Sequence, residues 1–504
     1  MNLAATIRER QAFLPPERGE GVQQQVASGT AWSGISLVAT TSIQLVRSII
    51  FARLLMPEDF GVLSLANVFT QFVLIFANFG FNASIIYQRD LDRKDLSTCW
   101  WSNLVVDGTV AMLCCVAALV AREVSDIERG AWVVCLLALQ FVITAVGSIN
   151  LALMKRLFMF KQIAVIKIAG ALGVALGALF FVAVIPWGVY GLVMGMIIGN
   201  LIMTVLNFVF LPWLPSFGFG RDRLRHHLSY GGWFLGVHVV TYVNGNLDRT
   251  MVGTQLDTTQ LGYYEYASNI PMQVANQLST AINSVLFPAI SSLQDNLAEL
   301  GDLLRKVFRY NALLIYPMLA GMALVAEDFV LTMYGAKWAP VIPVLRVFCL
   351  VGMARIITNP FYPLCNGLGV PRLPFKWSLI LLPINLLALW QGIEHLGLMG
   401  AVLARVIIPV VITATLGREI FRRAQFRARW LVQALWPALA CCGAMAAGVL
   451  GAQALPALQA LPSLARLLIE VAVGGLVYVG TLVLAFRADA TALFNQGRRF
   501  LKRS

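Results

Sequence analysis

The stretch "QIAVIKIAGALGVALGALFFVAVI", residues 162–185, decides the class of fold. Apart from Gln162 and Lys167, every side chain in it is apolar or small. A helix needs about 20 such residues to cross the hydrocarbon core of a bilayer. Irregular backbone and open sheet edges cannot face lipid, because their polar groups would have no partners. The stretch therefore predicts a transmembrane helix.

Similar stretches recur along most of the chain. Of its 504 residues, 59% are hydrophobic and 12% are charged, whereas about a quarter of the residues of a soluble domain are charged. The sequence predicts an all-α polytopic membrane protein with about 14 transmembrane helices. The predicted spans are 28–54, 62–88, 97–121, 130–152, 162–185, 188–211, 228–254, 262–288, 310–326, 340–366, 374–391, 396–420, 429–451 and 465–486.

The basic residues indicate the orientation of the spans. If the N-terminus is cytoplasmic, 27 of the 38 Lys and Arg residues lie in inward segments and 4 in outward loops. This asymmetry follows the positive-inside rule and predicts that both termini are cytoplasmic. The net charge of +13 is thus spread over many loops. A nucleic-acid partner is not expected, because a nucleic-acid-binding protein gathers its basic residues on one face.

The chain matches itself weakly at an offset of 201 residues, which aligns Gly61 with Gly262 and Ala66 with Ala267. Equivalent spans are then six apart and enter the membrane from the same side, as parallel repeats do. The predicted domains are a cytoplasmic tail at 1–27, an N-lobe at 28–211, a C-lobe at 228–420, an extra pair of spans at 429–486 and a basic cytoplasmic tail at 487–504.

Polar side chains form stripes along four of the spans. Spacings of three and four residues keep such side chains on one face of a helix. For a single residue, a hydrogen bond between packed helices is the favoured interpretation. For the matched set, a hydrated cavity is favoured. The cavity candidates are Asn67, Gln71, Asn82, Asn244, Asn269, Gln273, Asn276 and Asn283.

Seven basic residues lie inside the spans or at their rims. Arg53 and Lys167 are near span ends and are expected to extend to the head groups. A charge deeper in the membrane usually faces a partner or a watery cavity. The substrate-binding candidates are Arg47, Arg249, Arg355, Arg346 and Arg405.

The segment "NGNLDRTMVG", residues 244–253, carries an acid beside a base. Asp248 and Arg249 lie about 100° apart around a helix, so different partners are expected for them. One interpretation pairs Asp248 with Arg47, which it overlays at the offset, and leaves Arg249 for the substrate. The alternative is a purely structural pair.

Three carboxylates are candidates for binding a coupling cation, Na⁺ or H⁺. They are Asp107, Asp248 and Glu265, and each has a structural alternative as an ion pair or a neutral acid. No cofactor, metal site or catalytic residue is expected, because the sequence contains no nucleophile-base grouping, phosphate-binding loop or metal-type spacing.

Four segments in order resemble one family: "RLLMPEDFGVLSLANVFTQF" (53–72), "FGFNASIIYQRDLDRKDLSTCWWSN" (79–103), "LFPAISSLQDN" (286–296) and "YGAKWAPVIPVLRVFCLVGMARIITNP" (334–360). They are similar to Wzx-type polysaccharide-unit flippases, in particular the branch of the colanic-acid exporters. These belong to the multidrug, oligosaccharidyl-lipid and polysaccharide (MOP) exporter superfamily. The likeness extends from about residue 26 to residue 420. The extra C-terminal pair resembles the fourteen-span peptidoglycan-precursor flippases instead.

This resemblance implies two six-helix bundles around a V-shaped central cavity that opens to each side in turn. The implied activity moves undecaprenyl-pyrophosphate-linked oligosaccharide from the cytoplasmic to the periplasmic leaflet of the bacterial inner membrane, with coupling to an ion gradient. Arginines in the cavity would hold pyrophosphate or uronic acid groups. A polysaccharide polymerase and a chain-length regulator are the implied protein partners.

Three alternatives remain open from the sequence. A multidrug or cation antiporter of the same fold would favour an acidic pocket, whereas the charges inside these spans are mostly basic. A membrane-integral polymerase or acyltransferase would need a large extracytoplasmic loop or a histidine motif in the membrane. A scaffold without transport activity would have no use for the costly charges inside the spans.

Overall fold

The computed structural model describes residues 20–75, 85, 92–124, 128–217, 232–292, 296–368, 370, 372–423 and 426–491. Regular structure in these residues is helical, as long apolar segments require in a bilayer. Among the described residues before 218, six long helices correspond to the first six predicted spans. They are α1 (Glu20–Leu54), α2 (Pro57–Ile75), α3 (Arg93–Val124), α4 (Glu128–Arg156), α5 (Phe160–Leu179) and α6 (Val189–Phe210).

The remaining described residues form long helices joined by short ones. A π-helical turn at Phe180–Val184 extends α5, and another at Thr413–Gly417 joins α13 to α14. The helices are α7 (Gly232–Gln255), α8 (Thr258–Ser292), α9 (Leu297–Leu324), α10 (Ala326–Met333), α11 (Val341–Thr358), α12 (Phe361–Gly367), α13 (Arg372–Ile412), α14 (Arg418–Arg423), α15 (Ala428–Gln453), α16 (Pro456–Gln459) and α17 (Ser463–Ala485).

Eleven helical runs in the described residues are long and apolar enough to cross a membrane. The difference from the fourteen predicted spans has two causes. Spans 11 and 12 fall in one run, Arg372–Arg423, which is interrupted at Gly397. Spans 7 and 8 correspond to α7 and α8, whose described residues are too polar to count among these apolar runs. The prediction of an all-helical, multi-span membrane protein is confirmed.

The chain divides into two compact units between Val243 and Asn244. In the N-terminal unit, α3, α4 and α6 share a core that includes Cys114, Phe141 and Val193. In the C-terminal unit, α9 packs against both α15 and α17 through a continuous apolar core. The last two long helices are therefore an integral part of the C-terminal unit. The predicted domain boundaries stay predictions.

Helix ends in the two units follow the internal repeat. Helix α1 ends at Leu54 and α7 ends at Gln255, while α2 begins at Pro57 and α8 begins at Thr258. Both pairs of positions differ by the offset of 201 residues that aligns the sequence with itself. The weak sequence match thus corresponds to the same helix-turn-helix junction in each unit.

A second repeated junction is a glycine turn that the sequence comparison missed. Gly188 connects α5 to α6 with φ 57° and ψ −128°, and Gly397 interrupts α13 with φ 56° and ψ −134°. This left-handed conformation favours glycine, which has no Cβ to clash. Each glycine opens a G-x-x-G motif, "GVYG" at 188–191 and "GLMG" at 397–400. The turn therefore builds the same helical hairpin in both units.

The second glycine of this motif allows the two arms of the hairpin to touch. A Cβ on Gly400 would lie 1.7 Å from the carbonyl oxygen of Gly392, which is a backbone atom and cannot rotate away. We expect Gly400→Ala to lower the free energy of unfolding by more than the roughly 1–3 kcal/mol typical of overpacking. Thermal unfolding of the purified protein in detergent measures this loss. Gly443→Ala on α15 is the control, because nothing lies within 4 Å of its added Cβ; equal stability of both variants would contradict the packing.

Candidate functional site

A group of charged side chains, which we call the arginine cluster, lies among four helices of the C-terminal unit. Helices α7 and α8 contribute both acids and one arginine of the cluster. Helices α11 and α13 contribute the other two arginines. Helix α11 packs against both α8 and α13. The cluster consists of Asp248 and Arg249 on α7, Tyr264 and Glu265 on α8, Arg355 on α11 and Arg405 on α13.

Asp248 is the most buried charge of the cluster, with 3% of its surface exposed. Its Oδ2 lies 3.1 Å from Nε of Arg405 and also accepts a hydrogen bond from the hydroxyl of Tyr264. The ring of Tyr264 is held edge-on to Phe348, with ring centroids 5.0 Å apart. Within the described residues, Oδ1 of Asp248 has no hydrogen-bond partner. The carboxylate is thus fixed through one oxygen.

Arg249 has a different set of partners. Its Nε donates to Oε1 of Glu265, and its Nη2 lies 3.4 Å from Oε2 of the same carboxylate. Its Nη1 donates to Oδ1 of Asn246 at 3.0 Å. This two-pronged contact uses the planar fork of the guanidinium, which point-like ammonium groups lack. The expectation that Asp248 and Arg249 have different partners is confirmed.

Arg355 is the base of the cluster without an acidic partner among the described residues. Its Nη1 lies 3.4 Å from Sδ of Met272, a neutral and weakly accepting thioether. It lies within electrostatic range of Arg405 and Asp248. Three guanidinium groups therefore face two carboxylates, which are taken by Arg249 and Arg405. The cluster carries one surplus positive charge.

The polar stripe of α8 continues beyond Glu265 on the same face. Asn269 and Asn276 are exposed and Gln273 is half-buried, whereas Asn244 on α7 donates to the backbone carbonyl of Ser378 at 3.0 Å. Asn244 thus makes a bond between helices, which was the alternative to a cavity role. The roles of Asn244, Asn269, Gln273 and Asn276 as cavity residues stay predictions.

The remaining candidates belong to other places in the chain. In the N-terminal unit, Arg47 on α1, Asn67 on α2 and Asp107 on α3 are half-buried, and Gln71 on α2 is exposed. Asn82 and the side chain of Asn283 lie outside the described residues.

Arg346 lies apart from the cluster although it shares α11 with Arg355. Its side chain is 48% exposed, and its Nη2 is 3.8 Å from Oε2 of Glu327. An exposed pair at this distance contributes little to stability. Sequence reasoning grouped Arg346 with Arg355 and did not include Tyr264. A tyrosine beside Glu265 in a polar stripe was the available signal for the latter.

Solved structures of transport proteins share this fold. The structure of the lipid II flippase MurJ in an inward closed conformation matches with a TM-score of 0.66, at 15% identity, over 91% of this chain and 99% of that one. An inward-facing multidrug resistance MATE family transporter of the MOP superfamily matches with a TM-score of 0.60, at 12% identity, over 77% and 96%. The chain therefore has the fold seen in MurJ and in this MATE transporter.

Sequence comparisons give the family. The model described as "Polysaccharide biosynthesis protein" matches residues 50–343, more than half of the chain, so the chain belongs to this family. The lipopolysaccharide biosynthesis protein WzxC of Escherichia coli K12 is 25% identical over 78% of this chain and 80% of its own length. The teichuronic acid biosynthesis protein TuaB of Bacillus subtilis 168 is 23% identical over 95% and 99%. The resemblance to Wzx-type flippases is confirmed, and the solved structures that match the chain are of transport proteins, not enzymes.

Proposed function

We propose that this protein moves undecaprenyl-pyrophosphate-linked oligosaccharide units from the cytoplasmic to the periplasmic leaflet of the bacterial inner membrane, by alternating access and with both termini in the cytoplasm. The similarity to WzxC and TuaB, which are named for lipopolysaccharide and teichuronic acid biosynthesis, supports a saccharide substrate. The fold shared with a lipid II flippase supports a lipid-linked one. A polymerase and a chain-length regulator are the proposed partners that would use the exported units.

The surplus positive charge of the arginine cluster is the observation that carries the proposal. A charge at the centre of a membrane span costs roughly 2.5–3.5 kcal/mol even on insertion scales, so an arginine that no carboxylate neutralises needs a use. Among the described residues, the guanidinium of Arg355 forms no ion pair and contacts the thioether of Met272. A guanidinium binds phosphate or carboxylate oxygens through two parallel hydrogen bonds. A diphosphate linker or an acidic sugar would supply these oxygens.

The same charge argues against a multidrug or cation antiporter, which is the second candidate. The cluster contains three guanidinium groups and two carboxylates, so its net positive charge would repel a cationic substrate. The coupling ion, Na⁺ or H⁺, would bind at Asp107, Asp248 or Glu265; at the last two it would compete with the arginine already paired with the carboxylate. Of these, Asp248 has an oxygen that accepts no hydrogen bond among the described residues.

Reconstitution into vesicles tests the proposal directly. Vesicles that contain the protein and an undecaprenyl-pyrophosphate-linked oligosaccharide should expose the saccharide to an added membrane-impermeant glycosidase faster than protein-free vesicles. An imposed proton or sodium gradient should change this rate if transport is ion-coupled. A neutral lipid-linked saccharide is the control substrate and should move more slowly, because it lacks the anionic group. Transport of a cationic dye without movement of the oligosaccharide would favour the antiporter instead.

A further inference from the structure

A second charged group lies in the C-terminal unit, away from the arginine cluster. It is built where α17 begins, beside the short helix α10 and the end of α15. Arg466 on α17 binds Asp328 on α10, with its Nε 2.7 Å from Oδ1 and its Nη2 donating to the same oxygen. Both donors thus go to one oxygen of the carboxylate. The pair fixes α17 to α10.

Glu470 lies one helical turn further along α17 and is completely buried, with 0% of its surface exposed. Neither of its carboxylate oxygens has a donor in good hydrogen-bonding geometry among the described residues, although the side chain of Gln453 lies nearby. The polar groups that face it are Asp328 from α10, Gln453 from α15 and Arg466 from its own helix. Helix α9, which also contacts α17, contributes apolar side chains to their shared core.

The charges of this group do not balance if every acid is ionised. Asp328 and Glu470 would then carry two negative charges against the single positive charge of Arg466. Transfer of an ionised carboxylate from water to a buried position costs several kcal/mol unless its charge is neutralised there, and such groups often take up a proton instead. One bound proton would restore neutrality. It would also give Glu470 a hydroxyl that can donate to the second carboxylate.

A metal ion is a poorer fit than a proton. Calcium and magnesium take about six or more oxygen ligands. No group of three or more His, Cys, Asp or Glu residues that could hold a metal ion occurs in the described part of the chain. The one amide and two carboxyl groups here provide too few oxygens. A shared proton needs only two oxygens close together.

We propose that Glu470 and Asp328 form a proton-binding site in which the protonated Glu470 donates a hydrogen bond to the carboxylate of Asp328. Three acids of this region differ in exposure. The side chain of Glu327 is 64% exposed and that of Asp328 is 9% exposed, while Glu470 is fully buried. When the proton is lost, the two adjacent carboxylates are both negative and repel each other. This repulsion weakens the contact between α10 and α17.

The pH dependence of thermal unfolding tests this site in the purified full-length protein. Above about pH 5, where a glutamate of the unfolded chain is ionised, the wild-type protein should lose stability as the pH rises until the folded site releases its proton, because the folded state holds a proton that the unfolded state has lost. Glu470→Gln places a permanently neutral amide at the same position, so the fall of its melting temperature with pH should be clearly smaller. Glu327→Gln on the exposed rim is the matched control and should behave like the wild type.

Infrared difference spectroscopy gives a second measurement that is independent of stability. The carbonyl band of a protonated carboxylic acid should be present at neutral pH, disappear at high pH and be absent from Glu470→Gln. An unchanged band and an unchanged pH dependence in this variant would overturn the proposal. Neither measurement needs a substrate, so the outcome is separate from that of the transport experiment.

Discussion

Asp248→Ala is expected to destabilise the C-terminal unit by about 3–5 kcal/mol, the usual cost when one partner of a buried ion pair is removed. The remaining partner, Arg405, has a side chain that is 14% exposed and would keep its charge without a carboxylate beside it. Tyr264 would lose its acceptor at the same time. The result should be a lower melting temperature and less folded protein in the membrane.

A second substitution distinguishes loss of the charge pair from loss of packing. When both partners of a buried pair become apolar, stability is often unchanged or increased. Asp248→Ala combined with Arg405→Met should therefore be more stable than Asp248→Ala alone. Arg346→Ala is the control, because it removes an exposed pair that contributes about 0–1 kcal/mol. If Asp248→Ala unfolds at the wild-type temperature, the ion pair with Arg405 does not stabilise the unit.

The membrane-spanning fold could be predicted from sequence because it depends on local properties. Apolarity over about 20 residues defines a span regardless of what surrounds it. The spans that contain α7 and α8 were assigned in the same way, and the helical periodicity of their polar side chains then placed those side chains on one face. The glycine hairpins were missed because they repeat at a spacing different from the 201-residue offset, with Gly188 corresponding to Gly397.

The partners of the buried charges could not be predicted in the same way. The different partners of Asp248 and Arg249 follow from geometry within one helix. The identity of those partners depends on which side chains of other helices lie beside Asp248 and Arg249, and these belong to the next helix, α8, and to the distant helix α13. Sequence reasoning offered Arg47 for Asp248, whereas the structure places Arg405 and Tyr264 on its Oδ2. Pairing of Arg47 with Asp248 stays a prediction.

Arg249→Ala and Arg355→Ala are expected to differ, although both remove an arginine from the cluster. Loss of Arg249 leaves Glu265 without its two-pronged partner, so this variant should lose both stability and transport. Loss of Arg355 breaks no ion pair among the described residues, because its contact there is Met272. The Arg355→Ala protein should therefore stay folded, but its cluster should lack the surplus positive charge.

We expect Arg355→Ala to reduce polymer export by at least tenfold, with the amount of protein in the membrane unchanged. Loss of one charge-assisted bidentate contact, at about 1.5–3 kcal/mol for each such hydrogen bond, is sufficient for an effect of this size. Arg355→Lys should restore part of the export, because an ammonium keeps the charge but loses the planar fork. Surface polysaccharide measured per cell, together with immunoblots of the membrane fraction, provides both quantities.

Arg346→Ala is the matched control for this measurement, since it removes an arginine from the same helix at an exposed position. It should export at the wild-type rate. If Arg355→Ala exports normally while Arg249→Ala is folded but inactive, the substrate contact belongs to Arg249, the choice made from the sequence. In that case the pair with Glu265 would have to open during transport, because the fork of Arg249 could not hold both anions at once.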